Sequence, residues 1–271
     1  MNSAVRRGLI ATVIVLVVFT GVGFGVYALW HAAQSHSTAE DCTAGDYSVE
    51  TDQASVAATM VGVVISRNLP ERAAVLTLAA GLQESKLTNL GPGEGDRDSV
   101  GVLQQRPSQG WGTPAQLQDV HFATKQFLDA LVKIDGWETM PLADAIQKVQ
   151  ISIDGSFYAR HEPEAQALSD ALTGKTPAGL TCQFAKPTQV ATVAAVAAAL
   201  VQDLPVSRPQ AVAPRVSVPG ASWATAAWFV ANANRFGIDS VAYSGREWTR
   251  AHGWRDDKKA SADAVVATMQ T

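Results

Sequence analysis

The chain has 271 residues, of which 47% are hydrophobic and 17% charged. An average soluble domain carries roughly 25% charged residues, so a disordered or highly charged chain is excluded. The net charge of −4 leaves no basic excess for phosphate contacts and argues against nucleic acid. The two cysteines and the scattered His31, His36, His121, His161 and His252 form no metal-ligand cluster, so no metal and no other cofactor is expected.

Gly8 to Trp30 is uncharged throughout, and 23 helical residues at about 1.5 Å each would span a hydrocarbon core of about 30 Å. Arg6 and Arg7 precede this run, Tyr27 and Trp30 lie at its far end, and no lysine or arginine follows until Arg67. The positive-inside rule then predicts a single-pass anchor within residues 1–35, with the C-terminal part extracytoplasmic and the protein in the cell membrane. A cleaved signal peptide is the alternative, although its apolar region would be shorter. Without Arg6 and Arg7 the net charge falls from −4 to −6. Cys42 and Cys182 both lie in the part expected outside, where disulfides persist. They bracket one block of sequence, and their pairing is expected; two unrelated buried thiols are the alternative.

The block 40–182 reads as mostly helical. Thr51 or Asp52 can cap a helix running to about Asn68. Pro70 suits the first turn of the next, in which Ala74, Val75, Leu78, Ala79 and Leu82 form one apolar stripe. Gly91 to Asp98 is turn-forming. Asp119 can cap a helix through Ile134, and Pro141 and Pro163 open shorter ones, the last ended by Gly174. Residues 183–220 read as an alanine-rich helix and a linker with four prolines. Residues 221–271 read as a small α/β module, with a helix over Ser222–Phe236 and β-prone pieces at Ser240–Tyr243 and Ala264–Met269. The predicted class is mainly α.

The chemistry concentrates between Gln83 and Gly112. Glu84 ends a strongly apolar helix, so its carboxyl emerges from a hydrophobic wall. Desolvation there raises the pKa, as a general acid near neutral pH requires. Asp96 and Asp98 lie in a loop able to fold back toward it. Gln104 and Gln105 offer amide groups, and Trp111 offers a flat platform for a sugar ring. The competing reading makes Glu84 a solvated surface residue and the Gly95–Asp98 loop a plain turn.

The order Glu84-Ser85, a short loop, then Ser99-Val100-Gly101-Val102-Leu103-Gln104 resembles the lysozyme-like lytic transglycosylases. The Gly95-Asp96-Arg97 loop is similar to that of goose-type lysozyme. The fuller string through Gln105, Trp111 and Gly112 resembles membrane-anchored lysozyme-like proteins of actinobacteria. Leu103 replaces the usual methionine, and the Asn-Tyr-Asn element has no clean copy. Phe157-Tyr158-Ala159 lies where that element would, so Tyr158 is either its counterpart or a core residue.

The resemblance implies an enzyme cutting peptidoglycan glycan strands, with Glu84 as general acid and base. Asp96 would position water if the reaction is hydrolytic. Ser85, Gln104, Gln105, Trp111 and Tyr158 would contact substrate. Two rivals remain, a wall-binding module without turnover and a structural partner in a cell-envelope complex. Trp223, Trp228, Trp248 and Trp254 are either glycan platforms or core. His252 with Asp256 and Asp257 is a weak metal pattern.

Overall fold

The computed structural model describes residues 40–151, 154–206 and 208–271. A hairpin opens the fold: β1 (Asp41–Ala44) and β2 (Tyr47–Glu50) are joined by the two residues Gly45 and Asp46, with Gly45 at φ 57°. Two-residue turns of this kind match the twist of the flanking strands. Helix α1 (Thr51–Ser66) follows, its start fixed by the Gln53 side chain accepting the Glu50 N–H at 2.7 Å. Helix α2 (Glu71–Ser85) is the centre of the core, since every residue from Ala73 to Leu82 is buried. Such all-round burial needs partners on every side, and α2 packs against α1, α4 (Val120–Leu131), α5 (Leu142–Gln150), α6 (Ser156–Ala159) and α7 (Glu162–Leu172). A single turn, α3 (Pro114–Leu117), precedes α4. Asp119 caps α4 by accepting the His121 N–H at 2.9 Å.

Strand β3 (Leu180–Gln183) returns to pair with β1, and the register places Cys182 directly opposite Cys42. The two are joined in a disulfide that closes a sequence separation of 140. The order β2-β1-β3 makes a small antiparallel sheet.

The remaining chain forms α8 (Val193–Asp203), β4 (Gln210–Val212), β5 (Arg215–Pro219), α9 (Trp223–Ala231), α10 (Ala233–Phe236), β6 (Ile238–Tyr243), β7 (Arg246–Thr249), β8 (Gly253–Asp256) and β9 (Ala264–Met269). Its six strands are ordered β4-β5-β9-β6-β7-β8, all antiparallel. Every residue of α9 from Ala224 to Ala231 is buried, because α9 packs against β6 and also against α1 and α7. Further bonds tie the large sheet to the small one. Trp248 Nε1 donates to the Cys182 carbonyl at 3.0 Å, and Trp254 Nε1 to that of Leu180 at 2.8 Å. Residues 40–271 accordingly form one compact unit. Trp228 and Trp248 are fully buried, and Trp223 and Trp254 partly so, in edge-to-face contact with centroids 5.3 Å apart.

A buried polar hub joins four helices. Asp203, at the end of α8, accepts from Thr59 Oγ1 of α1 (3.0 Å) and Trp228 Nε1 of α9 (2.6 Å) through Oδ2. Its Oδ1 meets His121 Nε2 of α4 at 2.6 Å, and His121 Nδ1 faces Asp119 at 3.2 Å.

Two expectations are corrected. The class is not mainly α: the described residues hold nine strands in two antiparallel sheets, and the region read as a proline-rich linker contributes β4 and β5. Alternation of buried and half-buried residues along β9, with Val265, Ala267 and Met269 inward, turns one face of the large sheet to the core. The single-pass membrane placement is also withdrawn. Among the described residues no helix is long and apolar enough to cross a membrane; the longest, α1, has 16 residues and spans only about 24 Å. The expected anchor over residues 8–30 lies outside the described residues.

Candidate active site

Glu84 occupies the last turn of α2, where the apolar helix runs out of the core. The helix stops abruptly because Lys86 and Leu87 both turn left-handed (φ 55° and 61°), with the Leu87 N–H returning to the Gly81 carbonyl at 3.0 Å. This Schellman-like reversal leaves the Glu84 carboxyl at the floor of a cleft of about 470 Å3.

The opposite wall is a tight loop. Val100 N–H donates to the Gln105 carbonyl at 3.0 Å, and the residues between them bury Val102 and Leu103. Gly101 is indispensable here, since its φ is 80° and a Cβ would strike the Leu117 carbonyl oxygen. Ser85 Oγ donates to the Val102 carbonyl at 2.8 Å, holding the helix end against the loop. Ser85 therefore positions the wall and does not line the cleft.

Tyr158, from α6, is buried, and its hydroxyl donates to Glu84 Oε1 at 2.5 Å. Gln150, the last residue of α5, also hydrogen-bonds the carboxyl and donates to the Leu103 carbonyl at 3.0 Å. Burial pushes the Glu84 pKa above the ordinary 4.5, and the bonds from Tyr158 and Gln150 offset this only in part. The negative end of the α2 dipole acts in the same direction as burial. A carboxyl so placed keeps its proton to higher pH than an exposed glutamate and is aimed by two fixed neighbours.

The other expected residues divide into cleft lining and support. Gln104 and Trp111 line the cleft with Glu84. Gln104 Nε2 donates to the Gly101 carbonyl at 2.9 Å, while its Oε1 lies against Gly95, where any side chain would collide with it. Gln105 is buried and donates to the Ala123 carbonyl at 3.1 Å. Its Oε1 has no partner among the described residues, although Gln105 lines the cleft. Asp96 stands at the rim with its side chain 88% exposed and a loose contact to Arg97 at 3.7 Å. Asp98 is bound to Arg106 Nε (2.6 Å) and the Ser108 N–H (2.8 Å), and the Ser108 and Arg106 bonds hold its pKa well below the carboxylate range.

Gln150 escaped the sequence reading because it lies 66 residues from Glu84 in a different helix. A second cavity of about 180 Å3, between α1, β5 and α9, has no titratable side chain in its lining. Among the described residues, no three His, Cys, Asp or Glu side chains are grouped to hold an ion. Compared with known protein families and with curated proteins, the chain matches none.

Proposed function

We propose that this protein cleaves the glycan strands of peptidoglycan by intramolecular transglycosylation, with Glu84 as acid and then base. The observation that carries the proposal is the half-buried Glu84 carboxyl at the floor of an open cleft, oriented by Tyr158 and Gln150. In the proposed reaction Glu84 protonates the glycosidic oxygen as its bond to C1 of N-acetylmuramic acid breaks. The C6 hydroxyl of the same sugar then attacks C1, and the Glu84 carboxylate takes the proton from O6. No water is consumed, and the product ends in a 1,6-anhydro ring.

Hydrolysis by inversion would need a second carboxylate to activate water about 6.5–9.5 Å from the first. The cleft carboxylates besides Glu84 are poorly suited to that task. Asp96 is solvated at the rim, and Glu94 is engaged with the Gly91 N–H at 2.5 Å. Trp111, in the cleft lining, suits stacking against a sugar ring. The motif resemblance centred on Glu84-Ser85 and Gly101–Gln104 points the same way. The Cys42–Cys182 disulfide is compatible with the oxidising surroundings in which such a polymer is met.

The test is mass spectrometry of purified peptidoglycan after digestion. Anhydro-muropeptides are expected, and Asp96→Asn should keep most of the activity. Reducing ends, lost in Asp96→Asn, would replace the transfer mechanism with hydrolysis. A folded protein that releases no products would leave a binding module without turnover.

A further inference from the structure

Outside the cleft lining stands an arginine that is fixed in place but not neutralised. Arg160 follows Tyr158 by two residues, immediately after α6. Its Nη2 donates to Gln83 Oε1 at 3.0 Å, and Gln83 is the neighbour of Glu84. Its Nε lies 3.3 Å from His161 Nε2, and the guanidinium rests over the Phe157 ring at 5.6 Å from the centroid. His161 Nε2 also approaches Gln83 Oε1, at 3.2 Å. Three contacts thus set the orientation of a long side chain that would otherwise be free.

No carboxylate pairs with Arg160. Glu162, the carboxylate nearest to it along the chain, is held by Arg72 at 2.7 Å. The undescribed residues contain no Asp or Glu, so they supply no partner either. Among the described residues Nη1 has no hydrogen-bond partner, and Arg160 is exposed. A planar guanidinium with an edge free is the geometry for taking a carboxylate in two parallel bonds. The Phe157 ring, 52% exposed, adds an apolar flank to the same spot.

We propose that Arg160, held by Gln83 and Phe157 outside the residues that line the cleft, is an outlying carboxylate-binding subsite that makes the protein favour glycan carrying acidic groups. This inference rests on the peptidoglycan reading. Muramic acid fits it chemically, since its lactyl group ends either in a free carboxylate or in a peptide bearing carboxylates. N-acetylglucosamine has neither. Arg160 is a specificity residue in this account, acting on the substituent and not on the glycosidic bond.

Binding is the direct test, because it needs no turnover. The full-length chain carrying Glu84→Gln is titrated with three soluble ligands of equal length: a chito-oligosaccharide, a peptide-stripped glycan oligomer and a peptide-bearing one. The parent should favour the carboxylate-bearing ligands, and this preference should weaken with added salt. Arg160→Gln should reduce the preference by roughly tenfold, the scale of a charged hydrogen bond. Arg160→Lys, keeping charge but losing the fork, should fall between. A loss confined to the peptide-bearing ligand assigns the subsite to the stem, and a loss on the stripped oligomer assigns it to the lactyl carboxylate. Thermal melting of each variant controls for folding. If the parent binds all three ligands and Arg160→Gln leaves their ratios unchanged, the subsite is refuted while the cleft assignment stands. If the parent binds none of them, the peptidoglycan reading fails and this inference falls with it.

Discussion

Removing the Asp203 carboxylate should destabilise the protein more than removing any exposed charge. In Asp203→Ala, Trp228 Nε1 and Thr59 Oγ1 lose their acceptor inside the core. Each buried group left unmet costs about 1–3 kcal/mol, which gives about 2–6 kcal/mol in total. His121 is 28% exposed and can turn to water, so it adds little. For a unit of this size, 4 kcal/mol corresponds to a fall in Tm on the order of 10 °C. Asp203→Asn is the informative companion. Its oxygen can still accept from Trp228 and Thr59, and its amide can donate to an unprotonated His121 Nε2. The pH dependence should separate the two proteins. The bond to Asp203, with charge attraction from Asp203 and Asp119, raises the His121 pKa above the ordinary 6.5. A raised folded pKa gives stability that is complete below 6.5 and lost as pH rises through the folded value. Wild type should therefore lose stability on the alkaline side of 6.5, and Asp203→Asn should lose much less. Urea unfolding at a series of pH values measures both effects. A cost below about 1 kcal/mol for Asp203→Ala, or an undiminished alkaline slope in Asp203→Asn, would refute the reasoning.

Glu84→Gln should slow turnover at least about a hundredfold, the lower range for loss of a general acid. The same variant should melt higher at pH 7 and equally below 4.5, because a raised folded pKa makes the ionised form costly only above the ordinary value; a lower Tm at pH 7 would sink this. Tyr158→Phe removes a bond that favours the carboxylate, so the alkaline limb of the pH–rate profile should move upward, and a downward move would contradict the geometry. Intact mass should show Cys42 and Cys182 joined, with no alkylation before reduction. Breaking the bond should lower stability by about 2–5 kcal/mol, against about 5 from loop entropy alone for a 140-residue separation.

The helical half was legible wherever caps and apolar stripes coincide. Asp119 caps α4 as expected, and the Ala74–Leu82 stripe marks the buried helix α2. The strands were harder, because β1 and β3 have four residues each and their pairing spans most of the chain. Four residues are too few to establish a period of two, although Gly45-Asp46 carries a hairpin signature that was readable. In β5, Val216 and Val218 point inward between Pro214 and Pro219, and the prolines obscured the alternation. At the site, Glu84 was visible because a carboxylate after a long apolar run is a local contradiction. Gln150 was not, because α5 brings it there only in the folded chain. The four late tryptophans were ambiguous by sequence, and their contacts in the fold are structural.

Helix α9 imposes an order on biosynthesis. Both cysteines have been translated by residue 182, but the faces of α1 and α7 that α9 covers stay bare for about fifty residues more. At about 5–20 residues per second that interval lasts several seconds, with an apolar surface open to solvent and to other nascent chains. Messages truncated in this interval would yield a chain with all of the cleft residues encoded and no lid for its core. Such fragments are natural targets for chaperones and proteases. The late helix thereby works as a completeness check, since only a chain translated past α9 can bury what the first half exposes.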